Sequence, residues 1–299
     1  MYCTYLLIDG LKMALRSESE FAQRVAVLAT MHRKETAIAP LLKQELGIEV
    51  VVPPNFNSDR FGTFTRDIER PADQIETAKL KALAALEMTN ETIAIASEGT
   101  FGPHPAMPFL PCDREVVVLI DQIHELVLIG EALSTETNFS HAAIASIDEA
   151  LAFAQKAGFP AHGLVAMPNS HCRDTSQIHK GITTETQLIE TVTHLLKMVG
   201  SVHLETDMRA MHNPTRMKVI QQATQDLIRK AKQSCPECGL PGFDVTEYRR
   251  GLPCALCCHP TNQILASIYR CQRCGFEQPV MFPHGIQAAD PTFCEFCNP

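Results

Sequence analysis

Eight of the nine cysteines in the last 65 residues share one spacing. They form four Cys-x-x-Cys pairs: Cys235/Cys238, Cys254/Cys257, Cys271/Cys274 and Cys294/Cys297. Two thiolates on one tight turn supply half of a tetrahedral shell, and a second turn closes it without leaving a position for water. Fifteen residues separate the first two pairs and nineteen the last two, both within the range of four-cysteine zinc sites. Gly239 and Gly275 follow the first and third pairs and ease those turns. Consecutive, interleaved and nested pairings all satisfy the spacing. Cys258 and His259 are spare donors beside the second pair. The expectation is two structural zinc ions in a small zinc-ribbon-like module.

The competing reading is disulfides, and it depends on compartment. The N-terminus, MYCTYLLIDG, lacks the basic start and cleavage site of a secretory signal. No stretch approaches the ~18 apolar residues of a membrane span. A cytoplasmic chain with reduced thiols is expected, so twelve cysteines point to metal. Such modules often grip nucleic acid, and charge tests that. The module has four basic side chains (Arg249, Arg250, Arg270, Arg273) against six acids (Glu237, Asp244, Glu247, Glu277, Asp290, Glu295). Each four-thiolate zinc site adds a formal charge of about −2. A backbone-gripping domain needs the opposite sign. The module is therefore read as structural or as the dock for a protein partner, with neither nucleic acid nor membrane expected. The chain's net charge of −8 requires any anion site to be local.

Upstream, short apolar runs alternate with helical periodicity. Strands are expected at residues 25–29, 48–52, 92–97, 163–167 and 202–205, and a hairpin at 115–120 and 125–129. A helix ends at Gly47, with Pro40 in its first turn or kinking it. A second runs over about 72–88 with Ile75, Ala78, Ala82, Leu83 and Leu86 as its apolar stripe. Ser146/Glu149 and Thr184/Gln187 are capping boxes for helices stopped by Gly158 and Gly200. Asn213 and Pro214 open a helix to about Lys232. The expected fold is α/β: a mixed sheet with flanking helices over residues 24–232, then the cysteine module over 233–299. Residues 1–23 read as an N-terminal extension.

Three segments carry polar residues that packing does not require. His32, Arg33, Lys34 and Glu35 lie between a strand and a helix, at the sheet edge where ligands bind. Glu98 follows a buried strand and opens a rigid loop, Gly99-Thr-Phe-Gly-Pro-His-Pro105. A carboxylate there suits Mg²⁺. Arg209 and Arg216 flank the start of a helix, where cations oppose the helix dipole unless an anion lies between them. The alternative is that they pair with Glu205 and Asp207. Arg70 precedes a helix carrying Glu76, Lys79 and Lys81, whose bland reading is a surface salt-bridge face. No Walker loop, HExxH, GxSxG or GxGxxG is present.

The stretches Leu28-Ala-Thr-Met-His-Arg-Lys-Glu35, Ala96-Ser-Glu-Gly-Thr-Phe-Gly-Pro-His-Pro105 and Thr206-Asp-Met-Arg-Ala-Met-His-Asn-Pro-Thr-Arg216, with the cysteine tail, resemble a bacterial family of unassigned function over about residues 24–299. A more distant likeness is to the inosine/xanthosine triphosphate pyrophosphatases. Thr30 with Lys34, Glu76-Thr77-Ala78 with Lys81-Ala82, and Glu98-Gly99 match its short motifs. His32-Arg33 stands where that family has an asparagine. This resemblance implies phosphate contact by Lys34 and Mg²⁺ held by Glu76 and Glu98. The resulting expectation is a Mg²⁺-dependent nucleotide hydrolase. Glu98, Glu76 and His104 would be catalytic; Lys34, Arg70, Lys79, Arg209 and Arg216 would hold a nucleotide or other phosphorylated small molecule. The alternative is a non-catalytic nucleotide or anion binder that docks a partner through the zinc module.

Overall fold

The computed structural model describes residues 20–63 and 68–299. Most of the expected extension, residues 1–19, lies outside them. Phe21, within its last residues, is buried in the main core.

Five strands build the first sheet: β1 (Val25–Ala29), β2 (Glu49–Val51), β3 (Ile93–His104), β4 (Met107–Asp121) and β5 (Leu126–Ser134). Their order is β2-β1-β3-β4-β5. β1 pairs in parallel with β2 and β3, and β3-β4-β5 is an antiparallel meander, so the sheet is mixed. Helix α1 (Glu35–Leu46) leads from β1 to β2 and packs on one face beside α5 (Pro214–Ala231). Helix α2 (Gln74–Glu87) leads from β2 across to β3 and packs on the other face. The loops after β1 and β2 thus leave for opposite faces, which opens a crevice at the carboxyl ends of those strands.

Local chemistry sets the boundaries. Gly47 ends α1 in the left-handed conformation, φ 72°. Pro40 lies inside α1, beyond the expected first turn. On α2 the buried line is Thr77, Ala78, Lys81, Ala82 and Ala85, while Leu83 is exposed, one residue's rotation off it. The expected strand over residues 92–97 instead continues to His104, paired with β4, and the rigid loop expected from Glu98 is strand. β1 ends opposite Ala96. From Ser97 onward β3 is therefore an edge strand, the kind of strand in which proline is found.

The remaining strands form a second sheet that the single-sheet expectation did not contain. They are β6 (His141–Ile144), β7 (Leu164–Met167), β8 (His179–Ile182) and β9 (Val202–Thr206), all antiparallel in the order β6-β9-β7-β8. Helices α3 (Ile147–Ala157) and α4 (Glu185–Val199) cover it. Both start at the expected caps; the reciprocal box forms at Thr184/Gln187, whereas the Glu149 carboxylate accepts from the Ala145 N–H. β6 and β8 are short and mixed in polarity, with no alternation to mark them.

The C-terminal module is a three-stranded meander: β10 (Asp244–Arg250), β11 (Ile264–Arg270) and β12 (Glu277–Met281). It is fused to the first sheet. Cys235, Leu240, Phe243 and Cys271 share a core with Leu126, Leu128, Ile228 and Ala231, and the Gln272 amide pairs with the Val127 backbone. Among the described residues no helix is long and apolar enough to cross a membrane.

Candidate functional site

The cysteines resolve into two tetrads: Cys235, Cys238, Cys271 and Cys274, and Cys254, Cys257, Cys294 and Cys297. The pairing is interleaved, and the meander dictates it. Successive connections of an antiparallel sheet alternate between its two ends, so the first and third pairs meet at one end and the second and fourth at the other. Neighbouring sulfurs stand 3.5 and 3.7 Å apart in the first tetrad and 3.5 and 3.9 Å in the second. A tetrahedron of ~2.3 Å metal–sulfur bonds has edges of about 3.8 Å, whereas a disulfide needs about 2.05 Å. The cysteines are free thiols, and either tetrad could hold a metal ion.

The thiols of each centre differ in how readily they ionise. Backbone N–H groups of Cys257 and Leu256 bring Cys254 down to about 7. Against burial, those of Cys274 and Arg273 bring Cys271 to about 7. The last thiols resist. The Cys257 sulfur, burial, then Cys254 and Cys294 push Cys297 up to about 12. A backbone N–H at Phe276 favours the Cys274 thiolate, yet burial and the three other sulfurs push it to about 12. Four thiolates in so small a space need a central positive charge. Cys258 and His259 stay outside the tetrad; His259 instead stacks on Phe296, 5.2 Å between ring centroids.

A cleft of about 470 Å³ lies between the two sheets. One wall is the loop after β1 (Thr30, His32, Lys34), the segment after β2 (Asp59, Arg70) and the edge of β3 (Ser97 to Phe101). The facing wall carries Phe139, Val165, Arg173, Lys180, Glu205, Asp207 and Arg209. Lys34, Arg70, Glu98 and Arg209 are thereby brought together. Lys34 is buried and donates to Ser97 Oγ at 2.9 Å and Ser97 O at 3.0 Å. Burial first, then the Arg216 charge, lower its amine to about 7 against the pull of Glu115 and Glu98. Glu98 is held by Lys81 at Oε1 and by Arg70 at Oε2, 3.2 Å. Arg209 forks onto Asp207, Nη2 to Oδ2 at 2.6 Å, the pairing raised as its alternative. His32 Nε2 lies 3.0 Å from Asp59 Oδ1; burial lowers its pKa in spite of that carboxylate.

Arg216 lies beneath the cleft rather than in it. It is 1% exposed, bonded through Nε to Glu115 Oε1 at 2.6 Å and through Nη1 to the Met208 carbonyl. Glu115, on β4, is thus a partner that the sequence did not suggest. This pair explains Gly99. A Cβ there would stand 2.2 Å from Glu115 Oε1 and 2.6 Å from Arg216 Nη2. Asp113, two residues from Glu115 on β4, is raised to about 8 by burial first and by Glu115 next.

Three other named residues do not line the cleft. Glu76 and Lys79 pair with each other at 2.7 Å on the outer face of α2. His104 sits at the tip of the β3–β4 hairpin, its Nδ1 accepting from the Ala106 and Met107 N–H groups. Lys81, read as part of a surface face and of a motif likeness, is a cleft cation, as are Arg173 and Lys180, which the sequence did not mark. For Lys81 a signal existed, since a lysine stands on the alanine line of α2. Arg173 lies in an irregular stretch and Lys180 in the short strand β8, and neither offered one.

A family model described as "Domain of unknown function (DUF6671)" matches residues 81–299. The chain belongs to that family. The match takes in both tetrads, Lys81, Glu98 and the whole second sheet of this DUF6671 chain; Lys34 and Arg70 precede it. No curated protein matches the chain.

Proposed function

We propose that the cleft binds a phosphorylated small molecule, with nucleotides the first class to test, and that the tetrads hold structural zinc. One observation carries the first part. Buried Lys34 and Lys81, with Arg70, stand at the carboxyl ends of β1 and β2, and Arg173, Lys180 and Arg209 face them across the cleft. Cations gathered in a sheltered crevice at strand ends suit an anion. Phe101 and Phe139, ring centroids 5.8 Å apart, add an apolar surface on which a base could lie. Four thiolates with no open position suit zinc in a structural role.

Binding is favoured over Mg²⁺-dependent hydrolysis. The two carboxylates assigned to Mg²⁺ do not meet: Glu98 is engaged by Lys81 and Arg70, and Glu76 lies outside.

Calorimetric titration with nucleoside mono-, di- and triphosphates, sugar phosphates and inorganic phosphate, with and without Mg²⁺, tests the reading. Saturable binding is expected, weakened about tenfold or more by Lys34→Met (about 1.4 kcal/mol) and unchanged by Lys79→Met. Absence of binding by every compound rejects it, and release of pyrophosphate turns it into a hydrolase. Metal analysis should find two zinc equivalents per chain.

A further inference from the structure

The two tetrads differ in their surroundings. The one built from Cys235, Cys238, Cys271 and Cys274 is fused to the main core. The second lies at the far end of β10–β12, and seven residues of strand place it roughly 24 Å away. No core cluster includes any of its cysteines.

The tips of the knuckles differ in the same sense. The third residue of each Cys-x-x-Cys turn in the core-fused tetrad is charged: Glu237 and Arg273. The same positions in the outer tetrad are Leu256 and Phe296, 72% and 71% exposed. Phe293 and Ile286, in the chain leading to Cys294, are also exposed, and His259 stacks on Phe296. Apolar tips on one metal knuckle and charged tips on its sister are not explained by zinc binding, which the thiolates alone satisfy. Large exposed apolar side chains gathered at one end of a molecule mark contact surfaces.

Charge identifies the occupant. The segments forming this end, residues 251–263 and 282–299, contain Asp290 and Glu295 and no lysine or arginine; Arg249 and Arg250 border them at the end of β10, Arg250 on the Asn262 carbonyl, so the side chains there balance and the net negative charge comes from the loaded thiolate shell. A loaded four-thiolate site adds about −2. A polyanion is repelled, and a second copy brings the same negative end. We propose that the outer knuckle docks a polypeptide segment with an aromatic or aliphatic anchor flanked by lysine or arginine. The anchor would sit against Leu256 and Phe296, and the flanking cations would face the thiolate shell and Glu295.

Selection of a phage-displayed random peptide library on the zinc-loaded full chain tests this. The selected peptides should carry an apolar anchor between basic residues and bind in a salt-sensitive way. Leu256→Ser with Phe296→Ser should weaken them about tenfold or more at unchanged zinc content, while Glu237→Gln with Arg273→Gln should leave them unchanged. A photo-crosslinker in the anchor position reads the contact on the unmutated chain, and should label residues 255–259 and 293–298. No selected motif, an acidic motif, crosslinks elsewhere, or light scattering showing a dimer that Phe296→Ser dissolves would each overturn the proposal.

Discussion

Lys34 carries an amine held at about 7 by burial and by Arg216. An anion beside it favours the charged form, so binding raises that pKa and takes up a proton. The sign follows: affinity is highest below about pH 7 and falls as pH rises, by up to about tenfold per unit for one linked proton. Titrations in buffers of different ionisation enthalpy should detect the uptake, and Lys34→Met should abolish it. Gly99 makes a second test. Any side chain there meets the Glu115–Arg216 pair, and breaking a buried pair costs about 3–5 kcal/mol. Gly99→Ala should lower stability by about 3 kcal/mol in urea unfolding. Lys34 and Glu98 were legible because each lies within a few residues of the end of an apolar strand run. The engagement of Glu98 by Lys81 was not, since the two are distant in sequence and meet only where α2 crosses β3.

At the scale of elements, β5 meets α5 at Gly130. A Cβ there would lie 2.1 Å from the Ala223 carbonyl and 2.5 Å from the Leu227 N–H, both backbone atoms of α5. Gly130→Ala should therefore push the helix off the sheet and cost about 3 kcal/mol, and hydrogen exchange should rise in residues 214–231. Helices with a cap and a glycine stop were legible from sequence, because those signals act locally. β3 was legible only in part. Its glycines and prolines look like a loop, and they become strand because β4 pairs them over the whole hairpin. Pairing partners decide strands, and one local stretch does not contain them.

For the whole molecule, division into two sheets was invisible in a list of strands, because long-range pairing sets sheet membership. The cysteine module was the most legible part, yet its pairing scheme required the meander. The asymmetry of the tetrads has a thermodynamic consequence. Cys274→Ser should remove metal from the core-fused site and lower the main unfolding midpoint by about 10 °C. Cys297→Ser should remove one metal equivalent and leave that midpoint nearly unchanged. Calorimetry with metal analysis on both variants decides this.

Interleaving also bears on how the chain is made. Synthesis delivers Cys235/Cys238 and then Cys254/Cys257, and these two pairs belong to different sites. An ion captured by both at that moment would tie together opposite ends of a sheet whose later strands do not yet exist. The native arrangement needs residue 274 before the first site can close and residue 297 before the second. If the tetrads hold zinc as proposed, metal capture is a finishing step, and an ion held early by the first two pairs would have to be exchanged.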